Sequence, residues 1–497
     1  MLGLILGTGI WLTLRTGFAQ LRLFPAACRT FGRRLSGGGS SLRALWIALA
    51  ATVGTGNIAG VACAISAGGP GAVFWIWISG FLGMGLKLCE STLAVRFRSR
   101  SPTGEILAGP MYMIREGLPG CFRPLAAAYA FFGLFAAFGV GNATQVSAIF
   151  SALEDCARQY GAGISDGLRM TVGAGLALTV LFLVSGGIGK IGAGAEFLVP
   201  AASVGYTVLC LVAILRHREA ILPVLGRILT GAFRPEAVTG GLVGGALVTL
   251  RIGVARGVFT NEAGMGTAAM AHGSAEGVRP VEQGHLGILE VFLDTMVICT
   301  LTALMILTSG VSIPYGALTG AELTARALSR SFGPWAGAFL CACLCLFALA
   351  TILGWGLYAG RCAEYLLGRM NWRLFALAQA AGVLLGMALE TGVVWLLADL
   401  MNGLMAMPNL TALMLLSGKF CQEIKLENPG RVCYNQSQSR KIQRREVTDY
   451  ERKRNRRDPA PYPPGPQQYD GPLWLLRQRG QGDRLLLPAQ HRHDARK

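Results

Sequence analysis

The chain has 497 residues, of which 52% are apolar and only 14% are Asp, Glu, Lys or Arg; it carries 68 Gly. Soluble domains hold about 25% charged residues, so this composition excludes a disordered chain, a fibrous repeat and an ordinary soluble enzyme. The net charge of +18 is unevenly placed, because residues 419–497 hold 18 basic and 9 acidic side chains, half of the excess in a short final stretch.

Taken in order, apolar segments of spanning length fall at 1–20, 43–66, 70–96, 124–152, 170–187, 196–215, 239–274, 281–310, 334–366, 374–390 and 393–417. They predict an all-α integral membrane protein of about eleven spans, since a helix satisfies its own backbone in hydrocarbon. The first run has no basic segment before it and no clear cleavage site, so it reads as a span and not as a signal peptide. Basic residues in the loops favour one side. Arg15, Arg22, Arg29, Arg33, Arg34 and Arg43 around the first loop join Arg96, Arg98, Arg100, Arg115 and Arg123 after the third span, then Lys190, Arg279, Arg361, Arg369 and Arg373. The opposite side collects half as many, from Arg158 to Arg330, with an unusually basic loop at 216–236. This bias predicts an N-terminus outside and a cytoplasmic C-terminus.

The 13 Cys lie mostly in apolar runs. Cys341, Cys343 and Cys345 alternate, which places successive residues about 200° apart on a helix, so they read as inert thiols and not as a metal cluster. From Lys419 onward the sequence turns polar, with the run Arg452-Lys453-Arg454-Asn455-Arg456-Arg457 and a Pro-rich stretch at 459–464. That stretch reads as a disordered cytoplasmic tail, open to contact with anionic lipid headgroups; with no folded module beside it, nucleic acid is not an expected partner.

Two segments break the grammar of a membrane helix. The first is Thr52-Val53-Gly54-Thr55-Gly56-Asn57, and the second is Thr260-Asn261-Glu262-Ala263-Gly264-Met265-Gly266. Glycine with polar neighbours lowers helix propensity at mid-span. Each also suits a small-residue packing face. Gly54 and Gly264 lie 210 residues apart, each opening a set of five predicted spans. An odd number of spans inverts the second set, which is the pattern of an inverted repeat with a broken helix at the head of each half. The predicted organisation is an extra helix and basic loop at 1–42, one repeat at 43–235, a second at 236–418, and the tail at 419–497. Unwound helices expose N–H groups that attract a carboxylate and carbonyls that coordinate Na⁺, matching a zwitterionic amino acid and a sodium ion. No dinucleotide, phosphate-loop or His-Glu-x-x-His pattern is present.

At these residues the sequence resembles the alanine/glycine:cation symporter family, the sodium:alanine symporters, from Leu42 to Gly418. The resemblance is carried by 54–61, by Gly68-Gly69-Pro70-Gly71, Gly109-Pro110-Met111-Tyr112 and Gly141-Asn142-x-x-Gln145, by the block 253–264, and by Met405-Ala406-Met407-Pro408-Asn409-Leu410. It implies a LeuT-like 5+5 inverted-repeat helix bundle with discontinuous helices in a bacterial cell membrane, and Na⁺-coupled uptake of a small neutral amino acid, alanine or glycine. By the same resemblance Thr55, Gly56, Asn57, Gln145, Thr260, Asn261, Gly264 and Trp355 match substrate-contacting positions, and Thr351 with carbonyls near Ala51 and Gly54 is the candidate sodium site. Asn57 equally suits a helix cap, Gln145 a helix–helix hydrogen bond and Trp355 core packing, while Glu262 suits a role in tying the break together. Lys87, Glu90 and Asp294 read as interior pairs or interfacial anchors. Ala350 stands where the family pattern leads one to expect Ser, which keeps proton coupling open; a membrane protein that binds the amino acid without moving it is the reading from another class.

Overall fold

In hydrocarbon, a lone apolar segment satisfies its backbone only as a helix. The computed structural model of the protein describes residues 1–102, 104–368, 370–388 and 391–427, and it is helical apart from a small antiparallel ribbon pairing Ser99 with Leu107 and Arg100 with Ile106. Among the described residues, seven helices are long and apolar enough to cross a bilayer: Ala72–Arg96, Gly120–Gln159, Asp166–Ser185, Gly187–Arg216, Pro280–Thr308, Trp335–Leu367 and Leu400–Glu427. The pair Ser40–Thr52 and Gly56–Gly68, bent by 49°, makes an eighth. Leu2–Arg15 and Trp372–Met387 are apolar but shorter, and the segment expected at 239–274 is divided into Ala246–Asn261 and Thr267–His272. Every one of the eleven expected segments contains helix, but by length and apolarity the count is seven or eight. Large apolar side chains such as Phe182, Phe197 and Leu215 stand exposed on the long helices, where a bilayer would cover them.

Three stretches expected as loops hold amphipathic helices: Phe24–Gly37, Ile221–Phe233 and Ala321–Phe332. Their buried residues recur every three to four positions, as in Val224, Ile228, Gly231 and Ala232. Charges on the opposite face of Phe24–Gly37 and Ala321–Phe332 hide this pattern from a search for continuous apolar runs, while Ile221–Phe233, with Arg227 as its one charge, is too short to span. The tail boundary also moves. The helix Thr391–Glu427 continues through 419–427 with Phe420 and Ile424 buried, so packing extends past Gly418. The basic run and the Pro-rich stretch lie outside the described residues.

Small residues set the closest helix contacts. A Cβ on Gly253 would lie 2.4 Å from the carbonyl oxygen of Ala72, and one on Gly257 would lie 1.9 Å from Ser79 Oγ. Gly284 and Gly287 make similar approaches to Thr92, Ser91 and the Lys87 backbone. Helix Ala72–Arg96 is thus gripped on two sides by glycine faces of the other half, as expected where lipid supplies no hydrophobic force between helices. Gly71 sits backbone to backbone on Gly231, where a Cβ would lie 2.0 Å from the Gly231 carbonyl carbon.

Ion pairs and arginine hydrogen bonds join neighbouring segments within each of the two predicted faces. Arg34 pairs with Glu282 at 3.0 Å, Arg43 with Glu196 at 3.0 Å, Arg279 with Glu427 at 3.2 Å, Arg361 with Glu105 at 2.9 Å, and Arg96 with Glu423. At the other end Arg169 reaches Glu154, Arg216 the Ser331 carbonyl and Arg227 the Tyr315 hydroxyl.

Candidate functional site

The first break begins where Ser40–Thr52 ends. Val53 turns extended, and a π-helical turn at Gly56–Gly60 leads into Val61–Gly68. Asn57 staples this turn. Its Oδ1 accepts the Gly54 N–H at 2.8 Å, and its Nδ2 donates to the Asp294 carboxylate at 2.8 Å and the Asp294 carbonyl at 3.0 Å. Both ends of the Asn57 amide are therefore engaged by protein groups, the arrangement of a cap. The Thr55 hydroxyl donates to Gln145 Oε1 at 3.3 Å, and Gln145 Nε2 donates to the Val140 carbonyl at 3.2 Å in another π-helical turn, Ala137–Ala143.

The second break uses left-handed backbone. Glu262, Gly264 and Gly266 have φ of 52°, 90° and 78°, a region that suits glycine and strains Glu262. Asn261 Oδ1 accepts the Ala263 N–H at 3.0 Å, while Asn261 Nδ2 is buried without a partner. The Glu262 carboxylate accepts from Trp355 Nε1 at 2.9 Å and from the Thr267 hydroxyl at 2.7 Å. It ties the break to Trp335–Leu367 as its sequence context suggested. Trp355 is fully buried, with its Cβ 2.4 Å from where a Cβ on Gly141 would lie.

The two breaks meet. A Cβ on Gly56 would lie 3.3 Å from Thr260 Oγ1 and 3.4 Å from the Phe259 ring. The Thr260 hydroxyl donates to the Arg256 carbonyl at 2.7 Å. The candidate sodium position is equally tight. Thr351 Oγ1 lies 2.8 Å from where a Cβ on Gly54 would sit, and its hydrogen goes to the Ala50 carbonyl at 3.1 Å, which leaves lone pairs on the hydroxyl oxygen. Gly354 allows this approach, because a Cβ there would fall 2.9 Å from the Ala51 nitrogen. Thr55, Gly56, Asn57, Gln145, Thr260, Asn261, Gly264, Trp355, Ala51, Gly54 and Thr351 are all buried. Gly264 is bound from outside its own segment, as described next, and opens no space at the break.

Sequence reasoning read Lys87 and Glu90 only as interior pairs or interfacial anchors and did not connect them, or Asn409, with the second break. Glu90 Oε1, from Ala72–Arg96, accepts the N–H groups of Gly264 at 3.0 Å and Gly266 at 3.1 Å, and the Asn409 Nδ2 at 2.7 Å. Asn409 also donates to the Gly264 carbonyl at 3.0 Å. Lys87, one turn away, pairs with Glu290 at 2.8 Å; Glu290 reaches His272 at 3.0 Å, and His272 meets Gln283, which accepts from Ser41 at 2.5 Å. A carboxyl and an ammonium in the middle of an apolar span are the signals that point to such residues. The Gly109-Pro110-Met111-Tyr112 motif abuts this region: the Pro110 ring meets Gly266, and Tyr112, whose burial pushes its hydroxyl up to about 12, packs edge-on against Tyr365.

Two helical turns beyond Gln145 and Thr351, on the same two helices, lies a cavity of about 360 Å³ lined by Ala152, Asp155, Arg158, Glu322, Arg326 and Leu344. It stands over the buried centre on the face that carries fewer basic loops.

A family model described as the sodium:alanine symporter family matches residues 1–444, a wider match than the 42–418 legible by motif. The sodium/alanine symporter AgcS of Methanococcus maripaludis is 40% identical over 437 residues, covering 86% of this chain and 94% of that protein. The amino-acid carrier protein AlsT of Bacillus subtilis is 36% identical over 418 residues, covering 83% and 86%. Among solved structures, MhsT in complex with L-phenylalanine aligns with a TM-score of 0.54 at 14% identity, covering 78% of this chain and 98% of that one. The fold is the LeuT-like helix bundle with discontinuous helices, and the protein is a multi-pass membrane transporter and not an enzyme. The chain belongs to the sodium:alanine symporter family of sodium-coupled amino-acid symporters.

Proposed function

We propose that the protein carries alanine or glycine into the cell with Na⁺, by alternating access around the point where the two helix breaks meet. The observation that carries this reading is the convergence at Gly56 of Thr55, Gln145 and Thr260, three hydrogen-bonding side chains beside a backbone break in an otherwise apolar interior. There the N–H groups near Thr55 and Gly56 hold the substrate carboxylate, and Gln145 with Thr260 orients the ammonium. Asn57 acts by fixing the turn through Asp294. Trp355 forms a wall whose position is set by Glu262, leaving room for a small side chain only. Na⁺ sits between the carbonyls near Ala51 and Gly54 and the Thr351 hydroxyl. Binding there pulls the first break onto Trp335–Leu367, which links the ion to the substrate pocket. The N-terminus lies outside and the C-terminal helix end in the cytoplasm, so the cavity bounded by Asp155 and Arg326 is the external approach. Its paired charges suit a zwitterion.

Uptake of labelled alanine into proteoliposomes tests the reading. Accumulation driven by an inward Na⁺ gradient is expected, and accumulation unchanged when K⁺ replaces Na⁺ would sink sodium coupling. Binding without flux would favour a non-transporting protein.

A further inference from the structure

Four carboxyl groups are buried around the second break and its neighbours: Glu90, Glu262, Glu290 and Asp294. Three of them receive a donor on each oxygen. Glu262 has Trp355 and Thr267, Glu290 has Lys87 and His272, and Asp294 has Asn57 and Thr295. That even supply suits a carboxylate, whose charge is shared by both oxygens. Glu90 differs. Three N–H groups converge on Oε1, and Oε2 is buried with no partner. Asn409 Oδ1, on the side chain already joined to Glu90 at 2.7 Å, is also buried with no partner. Two acceptor oxygens left over on two bonded side chains lack one shared hydrogen.

We propose that Glu90 is a proton-binding site: the neutral acid keeps Oε1 as the carbonyl that caps Gly264 and Gly266, and carries its proton on Oε2 toward Asn409 Oδ1. Acid and amide then form a two-point pair, with Asn409 Nδ2 donating to Oε1 and the new O–H donating to Oδ1. The proton completes the pair with Asn409, and its departure would leave a buried carboxylate oxygen opposite an amide oxygen, which strains the link between the second break and the last helix. The ionisable groups facing Glu90 are Lys87 and Cys89 on its own helix, Glu290 from Pro280–Val291, Tyr129 from Arg123–Ala136 and Tyr358 from Trp335–Leu367. Glu262 lies across Lys87, and His272 acts through Glu290. From the last helix the contact is the neutral Asn409, while Glu423 there is taken up by Arg96. Lys87 is itself held by Glu290, so its charge is matched before it can serve Glu90. The line from Lys87 through Glu290, His272 and Gln283 to Ser41 is hydrogen-bonded throughout and stands beside Glu90 without a bond to it.

The proton site stands on the hydrogen-bond pattern alone; its coupling to a transport cycle rests on the transport reading above. Infrared difference spectroscopy on the purified full-length protein tests the site without requiring uptake. The wild type at neutral pH is expected to show a protonated-carboxyl band that E90Q lacks, and identical spectra in that region would overturn the proposal. Should E90Q fail to fold, N409L decides. Removing the acceptor is expected to shift the same band to higher frequency, and no shift would overturn the assignment. In proteoliposomes E90Q, whose amide reproduces the neutral acid, is expected to flatten the pH dependence of uptake. A wild-type protein that shows the band but takes up no alanine would sink the transport reading and leave the proton site standing.

Discussion

At the first break the polar side chain that caps the freed backbone comes from the break itself, as Asn57 turns back onto Gly54. At the second, the freed N–H groups of Gly264 and Gly266 go to a carboxyl on another helix. The first break bends a helix by 49° through a π-helical turn with ordinary backbone angles, whereas the second uses three left-handed residues in five. The difference separates their roles. At the first break Thr55, Gln145 and Thr351 stand beside the interrupted backbone, the positions proposed above for substrate and ion. The second is closed by internal groups, the Glu90 carboxyl and the Asn409 amide.

Substitutions that act on one break and spare the other sharpen this contrast. The largest effect belongs to Lys87→Met, which strands Glu290 in a dry interior beside the second break. Losing one member of a buried pair costs about 3–5 kcal/mol, read as a lower apparent Tm in detergent; an unchanged Tm would show that the pair does not support the packing beside the second break. Gly266→Ala comes next. Its Cβ would lie 2.4 Å from Pro110 Cγ and 2.7 Å from Asn409 Cγ at a positive φ, for about 1–3 kcal/mol of overpacking and a matching fall in thermal stability. At the first break, Gln145→Leu is expected to raise KM for alanine about tenfold, a loss of about 1.4 kcal/mol, with little change in Tm; an equal fall in Tm would make Gln145 a structural residue only. Thr351→Val keeps the shape and removes one oxygen, so it is expected to raise the Na⁺ concentration needed for half-maximal uptake while sparing alanine KM at saturating Na⁺. Arg34→Ala, far from both breaks, breaks a partly exposed pair worth less than about 1 kcal/mol, and should leave both Tm and uptake nearly unchanged.

Both breaks were legible in the sequence because glycine and polar residues interrupt apolar runs at corresponding places in two halves. What caps the second break was not. Glu90 lies 174 residues from Gly264 and 319 from Asn409, and Asn409 lies 145 from Gly264; spacing carries no signal over such distances. Glu90 was visible as a costly carboxyl in a span, yet its partner could come from any helix. The amphipathic helices Phe24–Gly37 and Ile221–Phe233 escaped for a different reason. The polar face of the first dilutes the apolar signal, and the second, apolar but for Arg227 and Thr230, is shorter than a span; periodicity is what reveals both. Glu262 is the reverse case, since its position beside Gly264 was enough to suggest the tie that Trp355 and Thr267 complete.

The contact between Gly71 and Gly231 bears on how tolerance to mutation should be interpreted in this protein. A Cβ on Gly71 would fall into the Gly231 peptide, so that position offers no graded series of replacements, while one on Gly231 would lie 3.1 Å from the Gly71 nitrogen and leave only a tight fit for a methyl group. A saturation survey would score Gly71, and less sharply Gly231, alongside the residues at the helix breaks, although neither belongs to a break. Intolerance by itself would therefore draw a second, false site on the surface helix, and the two kinds of position separate only when loss of folded protein is measured alongside loss of uptake.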